Sequence, residues 1–263
     1  MNLLRFAITV PLILGLSIAV AGCSDDDDGG IRGSGNVVTR DFELSGFTSV
    51  RLDLFDAEIT QSETYSVTVR ADDNVIDVID VDTAGDTLVL TTSGTSFRGD
   101  VTLEATITMP TIKSLELNGA ASVDLEGFDS LDRLDLELNG ASSVTGELTA
   151  DHIEIVATGA SNVTGELAAD RIGIVATGAS RVTLEGSATS VTLDASGASN
   201  VDLADFRAAT GEVELSGASQ ATVNITDSIG AVDVSGASKL RYLGEPTLDQ
   251  VNTSGASSVD QID

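Results

Sequence analysis

The hexapeptide VATGAS stands at Val156–Ser161 and again at Val175–Ser180. A catalytic motif is written once, whereas a segment repeated at a fixed interval marks a structural unit that stacks on copies of itself. The interval runs well beyond this pair. A Gly-Ala step led by Asn, Thr or Ser recurs at Gly119, Gly140, Gly159, Gly178, Gly197, Gly217, Gly236 and Gly255. Ser follows the Ala in every copy but the first, which has Ala121.

The flanks of each copy say what the unit is. Four residues before the Gly stand Leu115, Leu136, Ile155, Ile174, Leu193, Val213, Val232 and Val251, and two before it are mostly Leu, Ala or Val. Four residues after it stand Val123, Val144, Val163, Val182, Val201, Ala221, Leu240 and Val259. Short runs alternating apolar and polar predict strands with one buried face, on either side of a corner. Strand, corner, strand and turn in about 19–21 residues is one coil of a β-solenoid, with coils spaced about 4.8 Å apart. The corner Gly suits a positive φ or a close backbone approach. The Ala suits a corner with no room inside, and the Ser suits a role in bonding corner backbone groups. Parallel crossovers are almost always right-handed. The strict hexapeptide rhythm of left-handed acyltransferase helices and the leucine-rich pattern are both absent. The fold class expected is therefore all-β, a right-handed parallel β-helix.

Residues 36–110 lack the repeat but keep the β signal in TSVRLDLFDAEITQ, YSVTVRAD, DTLVLTTS and DVTLEATITMP. VDTAGDTLVL contains a Gly-Asp turn that predicts a hairpin, and LSGFTSVRLDL reads as a degenerate coil. A solenoid needs protection for its first coil. Residues 36–110 are thus expected to cap the coils of 111–263 within one continuous folded unit.

The N-terminus, MNLLRFAITVPLILGLSIAVAGC, has a positive charge at Arg5 and a short apolar run, the pattern of a signal peptide over residues 1–22. Its end, Val20-Ala21-Gly22-Cys23, resembles the bacterial lipobox. That resemblance implies cleavage before Cys23, acylation of that residue and anchoring without a spanning helix. Residues 23–35 then form an acidic, Gly-rich linker. Its run SDDDDGG resembles those of surface-exported lipoproteins, and Ser24 resembles outer-membrane sorting, which implies a lipid-anchored location facing the periplasm or the cell surface. Cys23 is the single cysteine, so the fold must stand on its core alone.

The chain of 263 residues carries 13 Lys and Arg against 42 Asp and Glu, a net charge of −29. Such a polyanion is no partner for nucleic acid, and the lipid, not charge, must hold it to a membrane. No cofactor is implied; calcium is the one ion the acidity invites.

The leading GSGNVVTRDFELSGFTSVRLDL, then YSVTVRADDNVID, then repeated NGAS and SGAS corners resemble the head GIN domain family, named for auto-transporter adhesin heads, from about Gly33 onward. The resemblance implies a β-helix on the bacterial envelope acting as a binding, adhesion or scaffold module, with a protein or glycan surface as ligand. It brings no catalytic residue. The alternatives are a carbohydrate-active lyase or hydrolase on the same fold and a purely structural envelope spacer. Against an enzyme stand a single His, His152, placed before a strand; no Trp; only Tyr65 and Tyr242 as tyrosines; and no GxSxG, HExxH or P-loop motif.

Alternation places the third residue before each corner Gly outward: Glu116, Glu137, Val156, Val175, Asp194, Glu214, Asp233 and Asn252. Stacked Asp194, Glu214 and Asp233 form a candidate cation ladder. Val156 and Val175 interrupt the charge as a candidate partner patch.

Overall fold

The computed structural model describes residues 30–263. The signal peptide, Cys23 and the Asp run lie outside the described residues. Seventeen strands and one short 3-10 turn (Ile76–Val78) form a single hydrogen-bonded sheet system wound into a solenoid. In chain order they are β1 (Val37–Phe42), β2 (Ser49–Asp53), β3 (Asp56–Gln61), β4 (Ser66–Asp72), β5 (Asp80–Ala84), β6 (Thr87–Thr91), β7 (Leu103–Met109), β8 (Ser114–Asn118), β9 (Ser122–Leu138) and β10 (Ser143–Ala157). They continue with β11 (Asn162–Ala176), β12 (Arg181–Ala195), β13 (Asn200–Leu215), β14 (Gln220–Val234), β15 (Lys239–Leu243), β16 (Thr247–Thr253) and β17 (Ser258–Gln261).

The repeated coils pair in parallel and in register, so that Val144 lies on Val163, Val163 on Val182 and Val182 on Val201. These columns point inward and are almost wholly buried, as are Ile155, Ile174 and Leu193 on the wall that precedes the corner. One core cluster runs from Phe47 to Leu240, which makes cap and coils one packed body.

The two strands expected per coil are one. β10 runs without a break through what the sequence presents as strand, turn and strand. In a stack every backbone group bonds to the coil above or below, so pairing continues round a bend. Coils of equal length stay in register round the bend, as β10 does on β11. A register irregularity appears only where coils differ in length, as between Gly146 and Leu148 against the longer β9 or between Thr183 and Gly186 against the longer β13. The last coil is also broken between Leu243 and Thr247, whereas from β9 to β14 only the Gly-Ala-Ser corner interrupts the coils.

At that corner both reasons for glycine hold. Gly178 has φ of 77°, and a Cβ there would lie 2.5 Å from the carbonyl oxygen of Gly159 in the coil before. The Ala is not packed inside, contrary to expectation: Ala160, Ala179 and Ala198 are exposed, each N–H donating to the preceding corner's Gly carbonyl, as Ala179 does to Gly159 at 2.7 Å. Ser is the residue that turns inward. Ser161, Ser180 and Ser199 are each 1% exposed, and the Ser180 hydroxyl donates to the Thr177 carbonyl at 2.7 Å, closing the corner on itself. The alternation carries through the corner in phase: Ile174, Ala176, Ser180 and Val182 all face the core, and Ala179 falls on the outward side.

The cap is assembled out of chain order. β2 and β3 form a coil that takes β8 and β9 on one side and β6 and β7 on the other. This is the predicted degenerate coil, and its corner is Leu54, at φ of 72°, standing where the next coil has Gly119. β5 and β6 form the predicted hairpin around Gly85. β4 and β1 then add antiparallel beyond β7. The buried carboxylate of Asp72 clips the entering chain to this cap, accepting from the Gly35 N–H at 2.6 Å and the Thr102 N–H at 2.8 Å. The GSGN and ADDN segments are thus two halves of one fastening. No helix among the described residues is long and apolar enough to cross a membrane.

Candidate functional site

Since the interior is apolar, function must reside on the outward columns. On the wall preceding the corner, the column predicted from alternation is real and longer than expected. It runs Val89, Arg51, Glu116, Glu137, Val156, Val175, Asp194, Glu214, Asp233 and Asn252, each the register partner of the next. At its N-terminal end Arg51 bridges to Glu116 at 2.6 Å, and that hydrogen bond, followed by the Coulomb attraction, raises the guanidinium pKa.

The candidate ladder Asp194, Glu214 and Asp233 is stacked and exposed. Its far end is tied by Asn252 Nδ2 donating to Asp233 Oδ1 at 2.8 Å. Stacking does not make these carboxylates converge: among the described residues no three acidic, His or Cys side chains share one coordination sphere. Val156 and Val175 are half-buried neighbours on adjacent coils.

Two further columns lie beside this one. Five residues before the corner Gly stand Asp135, Glu154, Gly173 and Thr192; seven before it stand Arg133, His152, Arg171 and Ser190. Within a coil the two columns pair base with acid. Arg133 bonds Asp135 at 2.7 Å, and this bond raises the Arg133 pKa. His152 Nε2 lies 3.6 Å from Glu154 Oε2. Arg171 meets Gly173 instead and makes no ion pair among the described residues. The missing side chain leaves a notch of about 260 Å³ between His152, Arg171, Thr192, Val175 and Asp194. The Glu154 carboxylate leans over it, occupying the space that a Cβ on residue 173 would take. His152, expected just before a strand, thus lies within β10 at a surface notch, and its Nδ1 is buried without a hydrogen-bond partner.

The next wall carries a second concavity, of about 580 Å³. Its floor is Gly146 and Gly165, and its rim includes Glu147, Glu166 and Glu185 in register. Sequence reasoning missed both hollows. The signal was there: VTGEL places Gly146 and Gly165 where other coils have the buried Leu125, Leu184 and Leu203. Tyr65 stacks edge-on against Phe47 at the cap, so it offers no platform to either hollow.

A family model described as "putative auto-transporter adhesin, head GIN domain" matches residues 46–246. The chain belongs to this family. Among solved structures, a "putative adhesin" from Bacteroides fragilis resembles this head GIN chain with 26% identity and a TM-score of 0.68, covering 89% of this chain and all of that one. A "putative adhesin" from Parabacteroides merdae superposes with a TM-score of 0.83 at 18% identity, covering 89% and 99%. A "putative lipid binding protein" from Parabacteroides distasonis gives 0.78 at 17% identity, again covering 89% and 99%. No curated protein is detectably similar in sequence. The head GIN family and these neighbours carry the names of adhesins or lipid binders, none of an enzyme.

Proposed function

We propose that this protein is a lipid-anchored binding module of the bacterial envelope, held through Cys23, whose lateral walls adhere to a protein or glycan surface. The observation that carries the proposal is the first wall: an uninterrupted outward surface from Val89 to Asn252, rigid because every coil is locked to its neighbours, on a chain of an adhesin-named family. A stiff rod with repeated outward columns presents many equivalent contacts, which suits avidity rather than turnover.

Two readings test it together. Metabolic labelling with a clickable fatty acid should mark the wild type at the membrane and leave Cys23→Ser unlabelled and soluble. A binding screen of Cys23→Ser against glycans and isolated envelope proteins should then return a ligand. Equal labelling of both forms refutes the anchor, and an empty screen refutes the binding role.

A further inference from the structure

The notch at Gly173 has a chemistry of its own. Its surroundings form a grid of three columns by three coils whose centre, Gly173, carries no side chain of its own. His152 and Arg171 stand on one side and Val156 and Val175 on the other. Thr192 closes the next coil, and the carboxylates of Glu154 and Asp194 sit at opposite margins. Each excludes a class of ligand. A cation entering the notch would face the unpaired guanidinium of Arg171. An anion would be pushed out by Glu154, already leaning over the centre, and by Asp194. A hydroxyl satisfies both kinds of group, since it donates to a carboxylate and accepts from a guanidinium or an imidazole N–H. The Val175 methyls offer a dry surface for the C–H face of a ring. At about 260 Å³ the notch is smaller than the roughly 300–1,000 Å³ of sites for drug-sized ligands, so it admits one ring and not a chain of them.

Resting on the binding role proposed above, we infer that the Gly173 notch takes a single neutral sugar ring, with Arg171, Glu154 and Thr192 bonding its hydroxyls and Val175 covering its apolar face. Glu154 swings aside to admit the ring and then accepts from it.

His152 is the single histidine of the chain, so its ring protons are an unambiguous NMR reporter inside the notch. The full Cys23→Ser chain, without a His tag, is titrated with the methyl glycosides of glucose, galactose, mannose and N-acetylglucosamine, and separately with sodium acetate and methylammonium chloride. At least one glycoside should shift the His152 resonances saturably, with a Kd on the order of a millimolar, the range for a ligand of about a dozen heavy atoms. The two ions should not. Gly173→Val fills the notch without left-handed strain, because position 173 is ordinary strand, and its Cβ meets the flexible carboxylate of Glu154. It should keep the wild-type circular dichroism and lose the shift, and Arg171→Gln should weaken binding at least tenfold. No saturable shift with any glycoside, a shift that survives Gly173→Val, or stronger binding of either ion overturns the inference. A ligand found in the envelope screen but no glycoside effect on His152 removes this site and leaves the binding module standing.

Discussion

Gly178→Ala and Gly173→Ala make the same chemical change on the same coil with opposite expected outcomes. At Gly178 the backbone is left-handed, with φ of 77°, which costs a residue bearing Cβ about 1–2 kcal/mol. The new methyl would also lie 2.5 Å from the Gly159 oxygen and 3.1 Å from its nitrogen. These are backbone atoms that cannot rotate away. Relief requires lifting one coil from the next, which stretches the 2.7 Å bond from Ala179 N–H to the same Gly159 oxygen. Overpacking of this kind costs about 1–3 kcal/mol, so the total is about 2–5 kcal/mol, a large share of the roughly 5–15 kcal/mol that holds a domain folded. At Gly173 the methyl meets only the Glu154 carboxylate, and replacing a strand glycine recovers about 0.5–1 kcal/mol of chain entropy. Urea unfolding monitored by circular dichroism should therefore place Gly178→Ala far below wild type and Gly173→Ala at or above it. Because coils interact only with neighbours, the corner variant should also broaden the transition as the two halves decouple. Coincident midpoints for the two variants would refute the corner argument.

Leu54, the one corner in the cap built without glycine, should behave in the opposite sense. Leu54→Gly relieves left-handed strain at a 39% exposed side chain and should be neutral or stabilising by up to about 1 kcal/mol, against a loss of about 2–5 kcal/mol for the buried Leu52→Ala, both read by urea melts. Burial, then the nearby Glu104, raises the Asp56 pKa; a carboxyl whose folded pKa is raised favours folding in acid and opposes it once ionised. Asp56→Asn should accordingly raise the melting temperature at neutral pH, with the gain shrinking as pH falls through the carboxylate range. The ladder Asp194, Glu214 and Asp233 should respond to calcium as screened charge only, since no convergent donor set exists. Thermal midpoints in calcium and in sodium chloride of equal ionic strength should agree, and a calcium-specific rise lost in Glu214→Gln would make the ladder a site.

The parts of the fold that a stack forces into every coil were legible in the sequence. The corner Gly, the inward Ile and Val columns and the outward order from Glu116 to Asn252 all follow from one period. What depends on pairing between distant segments was not. Nothing near β6 says that it will lie outside β2 while β8 lies inside it, and LDLFDA hides a corner because Leu54 takes the place of glycine. Counting by twos from Ile174 runs through the corner to Ser180 and Val182, so the inward Ser was legible; the small side chain of Ala179 suggested an interior place that this count does not give it. The candidate site was half visible. Val156, Val175 and Asp194 were found by counting, but the notch that joins Val175 to Asp194 depends on Gly173, whose meaning appears only when RIGIV is laid on HIEIV and on RLDLEL in the coils beside it. An absent side chain leaves no motif; it acts through the neighbours that surround it.

The proposed binding role rests on the outward columns, and the columns rest on the stack. Nitroxide labels on one column measure it directly. With Cys23→Ser as background, labels at Glu116→Cys and Asp194→Cys lie four coils apart, and labels at Glu116→Cys and Asn252→Cys lie seven apart. At about 4.8 Å per coil the backbone separations are about 19 Å and about 34 Å. Pulsed dipolar spectroscopy should return two distances in that ratio, growing in proportion to coil number. A second distance equal to the first, or one that does not scale with the number of coils, would contradict the stack and with it the binding face.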